Sequence, residues 1–184
     1  MRSTLIKTLA LSAALAFSGA AYAQENPMVG GAPMYADKNI VENAVNSADH
    51  TTLVAAVKAA GLVDTLAGPG PFTVFAPTNA AFAALPAGTV DTLLKPENKD
   101  QLTKVLTAHV VPGKMSGGEI LGKVQANGGR YEMTTVSGDT LVAVPSGSGL
   151  AITDESGNTG VVTIADVNQS NGVIHVVNGV LVPK

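Results

Sequence analysis

Before Lys123 the apolar residues recur at helical spacing; from there to the end they recur at every second position. In the first part Ile40, Val41, Ala44 and Val45 predict a short helix. A second follows, with Asp49 or Thr51 as cap, Leu53, Val54, Val57 and Ala60 on one face, and Gly61 at its left-handed end. Leu62, Val63 and Leu66 predict another short turn before Gly68-Pro69-Gly70-Pro71 breaks the chain. Residues 72–76 are aromatic and β-branched and predict a strand, which Pro77 stops. Thr78 or Asn79 then caps a short helix through Phe82 and Leu85. A longer helix after Pro96 turns Leu102, Val105, Leu106 and His109 inward, carries an Asp100–Lys104 pair outside, and closes at Pro112-Gly113.

In the second part the period of two predicts strands at 131–136, 140–144, 149–154, 159–165, 172–178 and 180–182. Ser137-Gly138-Asp139 and Ser156-Gly157-Asn158 join neighbours as hairpins, and Asn171-Gly172 and Asn178-Gly179 are tight-turn dipeptides. A helix-rich first half followed by a strand-rich second half is the pattern of an α+β domain, not of alternating βαβ units.

The N-terminus has a different pattern. Arg2 and Lys7 flank a short apolar run through Phe17, followed by small residues ending Ala21-Tyr22-Ala23. The run is too short to span a bilayer, and the three parts in this order predict a secretory signal peptide over 1–23, cut between Ala23 and Gln24. Residues 24–38 are rich in Pro and Gly without periodicity and are expected to form an extended, flexible leader. The expected protein is therefore exported, extracellular or periplasmic, with one domain over 39–183 and no membrane insertion of the mature form.

Composition narrows the chemistry. With 11 basic and 14 acidic residues and a formal charge of −3, the chain has no electrostatic footprint for nucleic acid. It has no cysteine, which removes disulfides, thiolate metal sites and a cysteine nucleophile. His50, His109 and His175 show no metal-ligand spacing, so no metal and no cofactor are expected. His50, beside a helix start, is expected in solvent, and His175, among β-branched residues, as a hydrogen-bonded core histidine. No G-x-S-x-G elbow or phosphate loop occurs, and Asp154 and Glu155 are adjacent on an expected strand, which sends them to opposite faces. The chain is not expected to be an enzyme.

Two segments carry a resemblance: Gly70-Pro-Phe-Thr-Val-Phe-Ala-Pro-Thr-Asn-Ala-Ala-Phe82 and Asn171-Gly-Val-Ile-His-Val-Val-Asn-Gly-Val-Leu-Val-Pro183. With the helix between them that ends in His109-Val110-Val111, they resemble the fasciclin domain family, above all its small secreted bacterial members. The resemblance implies a wedge of two β-sheets with helices packed on one side, and adhesion or matrix contact without a cofactor. Its partner would be an extracellular or cell-surface protein or polysaccharide. Thr73, Phe75, Ala76, Pro77, Thr78, Asn79 and Phe82 form the fold-defining motif. His109, Val110, Val111, Asp166, Asn171 and His175 are the candidate partner-binding residues. Two positions depart from the family: Ala108 stands where its members carry the Tyr of a Tyr-His pair, and Asn178 where Asp is common. An alanine supplies no aromatic anchor for a partner. Two other readings follow from the residues: an envelope carrier of a small apolar ligand, and a structural envelope protein without a specific ligand.

Overall fold

The computed structural model describes residues 26–183, so the signal peptide and its cut between Ala23 and Gln24 lie outside the described residues. A hairpin of two short strands comes first, β1 (Met28–Val29) and β2 (Ala32–Pro33). Three helices follow, α1 (Ile40–Ala44), α2 (Thr51–Ala60) and α3 (Val63–Ala67), then strand β3 (Phe72–Pro77). Helices α4 (Asn79–Ala83), α5 (Thr89–Leu93) and α6 (Lys99–Thr107) lead into β4 (Val110–Pro112). A last helix, α7 (Gly117–Ala126), precedes β5 (Tyr131–Thr134), β6 (Thr140–Ser146), β7 (Gly149–Thr153), β8 (Thr159–Gln169) and β9 (Gly172–Val177).

Seven strands run in the order β4-β3-β9-β8-β7-β6-β5. Strand β8 gives the wedge its two sheets. Its first residues pair with β7, and the remainder pairs with β9 across two register shifts. Bulges bend a strand and raise its twist, so one long strand serves both sheets. The far edges also approach each other, since the Val136 N–H donates to the Val110 carbonyl at 2.8 Å.

At the centre β3 and β9 pair in parallel, Phe72 opposite Gly172 through Pro77 opposite Val177. A parallel pair is buried on both faces, which explains the run of apolar residues in both segments. Gly172 is required there because a side chain would collide with the Phe72 backbone. Val74, Ala76, Ile174 and Val176 face a core with α1 to α6. Phe75 and Val177 face a second core with α7, β5, β6 and β7, where Ile120, Val124 and Ile152 are fully buried. Each such side chain contributes about 1.5–3 kcal/mol on leaving water.

Three expectations change and one element, α7, is new. Residues 28–34, placed in the flexible leader, are folded onto the helical core, with Val29 4% and Met34 2% exposed. Helix α7 carries three glycines, which hide it from propensity, yet Ser116 and Glu119 close a full capping box at its start. Residues 110–112, read as the end of a helix, are strand β4, whose bonds to β3 outweigh helical continuation. Residues 180–182 form no strand, because side chains and not a ladder take their N–H groups: Leu181 N–H donates to His109 Nε2 and Val182 N–H to Asp154 Oδ2.

Candidate functional site

The fold-defining motif works as punctuation. Thr73, on the buried side of β3, donates from Oγ1 to the Gly113 carbonyl at 2.6 Å and accepts from the Met115 N–H at 2.9 Å. It thereby fixes the path from β4 to α7. Thr78 caps α4 through the Ala81 N–H. Asn79 does not cap α4 but serves α2: its Oδ1 accepts from the Thr52 N–H at 3.0 Å and its Nδ2 donates to the Ala48 carbonyl at 2.8 Å. Neither Asp49 nor Thr51 caps α2, so this remote amide satisfies a donor that the local sequence leaves free.

The six partner-binding candidates fall into three latches. In the first, His109 is 2% exposed at the end of α6. Its Nδ1–H donates to the Val105 carbonyl at 2.7 Å, so Nε2 is the acceptor for the Leu181 N–H at 2.9 Å. Burial pushes its pKa down to about 4, against smaller opposing effects of the Val105 carbonyl and the Asp154 carboxylate, and holds the ring neutral. Val110 and Val111 continue from it, buried opposite Val74 and Thr73.

In the second latch, His175 lies under Phe75 at a centroid distance of 5.6 Å. Its Nε2–H donates to the Met115 carbonyl at 3.0 Å, and its Nδ1 accepts from the Asp166 N–H at 3.3 Å. It is the hydrogen-bonded core histidine that its neighbours predict, and burial lowers its pKa. Asp166, at φ 58° in the bulged part of β8, accepts the Gly117 N–H on Oδ1 at 2.7 Å and so anchors α7. In the third, Asn171 ties α1, α3 and β9 together. Its Oδ1 accepts from the Ile40 N–H at 3.0 Å, and its Nδ2 donates to the carbonyls of Leu66 and Gly68 at 2.7 and 2.8 Å. Of the six, Asp166 alone is exposed.

Four further residues escape sequence reasoning. Asp154 is 6% exposed and accepts from the N–H groups of Ser156, Asn158 and Val182 and from Asn158 Nδ2. Its position two residues before Ser156-Gly157-Asn158 is the available signal, since a carboxylate there closes an Asx turn. Asn43 and Gln169 form a buried side-chain pair between α1 and β8, with no signal at a separation of 126 residues. His50, expected in solvent, is 3% exposed with Nδ1 2.8 Å from Ser47 Oγ, because the N-terminal hairpin covers it. Burial lowers its pKa, opposed by the Ala76 backbone and Asp49.

Among the described residues no group of three His, Asp or Glu converges on a point that could hold a metal, and no helix is long and apolar enough to cross a membrane. The apolar cavity in the helical core measures about 50 Å³. A carrier of drug-sized apolar ligands needs roughly 300 Å³ or more, so the cavity does not support that reading. The outer face of β5, β6 and β7, by contrast, has no helix over it. Glu132, Val142, Thr153 and Thr159 stand in one cross-strand row, and the first three, with Arg130, Thr140 and Val144, line an open groove of about 660 Å³.

The fold is a two-sheet wedge centred on the parallel β3–β9 pair, with the polar side chains of the two motif segments engaged in internal latches. The fasciclin domain model matches residues 48–183, and the chain belongs to that family, one of cell-adhesion and surface proteins. It is 50% identical over 144 residues to the protein sll1483 of Synechocystis, covering 78% of this chain and 73% of that one. It is 35% identical over 170 residues to the cell surface glycolipoprotein MPB83 of Mycobacterium bovis, covering 89% and 70%. Among solved structures, a domain pair from the insect cell adhesion molecule fasciclin I superposes with a TM-score of 0.68 at 17% identity, covering 78% of this chain and 50% of that one. That likeness carries the fold alone.

Proposed function

We propose that the mature chain is an exported adhesion or matrix-binding module, extracellular or periplasmic, that holds protein or polysaccharide through the outer face of β5–β7. The observation that carries this is the division of labour among the polar groups. Five of the six candidates, His109, Val110, Val111, Asn171 and His175, are buried and bonded within the domain, whereas the β5–β7 face is uncovered and mixes hydroxyls, methyls and charges. Such a face makes weak contacts that add up over many copies. Of the six candidates Asp166 alone is exposed, on β8. Family membership and the surface location in the name of the mycobacterial relative support export and adhesion. Catalysis finds no support, since His109 and His175 have both ring nitrogens engaged and neither can take up a substrate proton.

The test is retention of purified protein on surfaces coated with matrix protein or with polysaccharide from its own culture. The double variant Val142→Lys, Thr153→Lys is expected to lose at least ten-fold in retention with an unchanged melting temperature. His109→Ala is expected to bind while folded but to melt earlier. Retention that survives the double variant, or that never exceeds an unrelated acidic protein, sinks this reading.

A further inference from the structure

The N-terminal hairpin closes a cavity that the family-matched region does not close by itself. Val29 and Met34 from the hairpin and Ile40 from α1 meet Leu53 and Val57 of α2 and Ile174 of β9 around about 50 Å³. The hairpin is held there by the Ala48 N–H donating to the Gly30 carbonyl at 3.2 Å, and by Asn43, which bonds both the N–H and the carbonyl of Tyr35. Gly30, at φ 58°, is needed because a side chain would strike Ser47 and the backbone of Ala48 and Asp49. Val29, Met34, Ile40 and Ser47 all line the cavity and all precede residue 48, where the family match begins.

One residue on this lining, His50, has a buried polar atom without a partner. Among the described residues His50 Nε2 is the buried side-chain nitrogen or oxygen without a hydrogen bond, while Nδ1 is held by Ser47. The Ala76 backbone lies near the ring but makes no bond of proper geometry with Nε2. An unmet polar group at this depth costs about 1–3 kcal/mol, so its presence in a folded domain calls for an explanation.

We propose that this cavity binds a small neutral molecule of three or four non-hydrogen atoms, with an apolar end and one hydrogen-bonding group that pairs with His50 Nε2. The size follows from the volume, since one water-sized atom occupies about 10–15 Å³ by the same measure. Water itself fits poorly, for it needs about two to four polar partners, and of the other polar side chains on the lining Ser47 and His109 are already bonded within the domain. A purely apolar guest leaves Nε2 unmet. A charged one faces apolar walls, since Lys58, the charged side chain on the lining, sits exposed at the rim. Entry lies between α1 and α2, where Val41, Ala44 and Val54 are half-buried. The inference is independent of the β5–β7 face.

The experiment is a titration of the protein, labelled with 15N in its histidines, with 1-propanol, xenon and cyclohexanol. With 1-propanol a saturable shift of the His50 Nε2 resonance is expected, with none at His175, which does not line the cavity. Cyclohexanol, too large for the volume, should produce no saturable change. In His50→Phe, which keeps a ring of similar shape, propanol binding should weaken at least ten-fold while xenon still binds. A response to propanol that stays linear, equal binding of cyclohexanol, or a long-lived water found at Nε2 overturns the proposal. Because the ligand series is read on the unaltered protein, a variant that fails to fold does not decide the matter.

Discussion

His109 holds the last segment of the chain by lending a lone pair to the Leu181 N–H, and a neutral ring is the condition for that bond. Replacing it with alanine removes both ring bonds and leaves a void beside Val105. A loss of about 2–4 kcal/mol is expected, read as a lower midpoint in urea with unchanged slope. Asp154 secures the neighbouring N–H groups by the opposite means, with a carboxylate that only accepts. Asp154→Asn places an amide N–H against donors that are already pointing at it, so about 1–3 kcal/mol should be lost, with faster hydrogen exchange at Val182 and Asn158. Residues of this kind were partly legible. The buried, bonded state of His175 follows from its β-branched neighbours, whereas the burial of His50 depends on a hairpin twenty residues earlier that carries no periodicity.

Elements with long apolar periods were readable before the structure: α2, α6, β3, β9 and the hairpins of the second half. Others were not, and the reason is where their hydrogen bonds go. Strand β4 and the segment 180–182 look alike as short runs of valine and leucine. The first finds a ladder on β3, and the second finds side chains. Helix α7 is betrayed only by its cap. The start of α2 has the complementary problem, since its cap lies 27 residues away in Asn79. Asn79→Ala should therefore destabilise α2 and not α4, by about 1 kcal/mol, and amide exchange at Thr52 should rise while that at Ala81 does not.

For the whole molecule the three histidines act in one direction. Burial lowers the pKa of His50, His109 and His175 in the folded state below the ordinary 6.5 that the unfolded chain keeps. Above pH 6.5 all forms are neutral and the full stability is present. As pH falls from 6.5 toward 4 the unfolded chain takes up protons that the folded domain refuses, and stability is lost. For His109 alone, whose folded value is about 4, the loss reaches roughly 3 kcal/mol. Denaturation midpoints measured between pH 7 and pH 4 should drop steeply, and the drop should be shallower in His109→Ala. The absence of disulfides makes this dependence matter, because nothing covalent holds the fold when it weakens.

The parallel pairing of β3 with β9 also sets an order of events. Phe72 and Gly172 are 100 residues apart, and no earlier strand can stand in for β9 between β3 and β8. A chain growing from its N-terminus therefore carries β3 unpaired on that side until Gly172–Val177 have been added. Contacts of such long range form slowly and late. The proposed export needs a chain that is still unfolded when it meets the membrane, and this strand order delays folding in that sense.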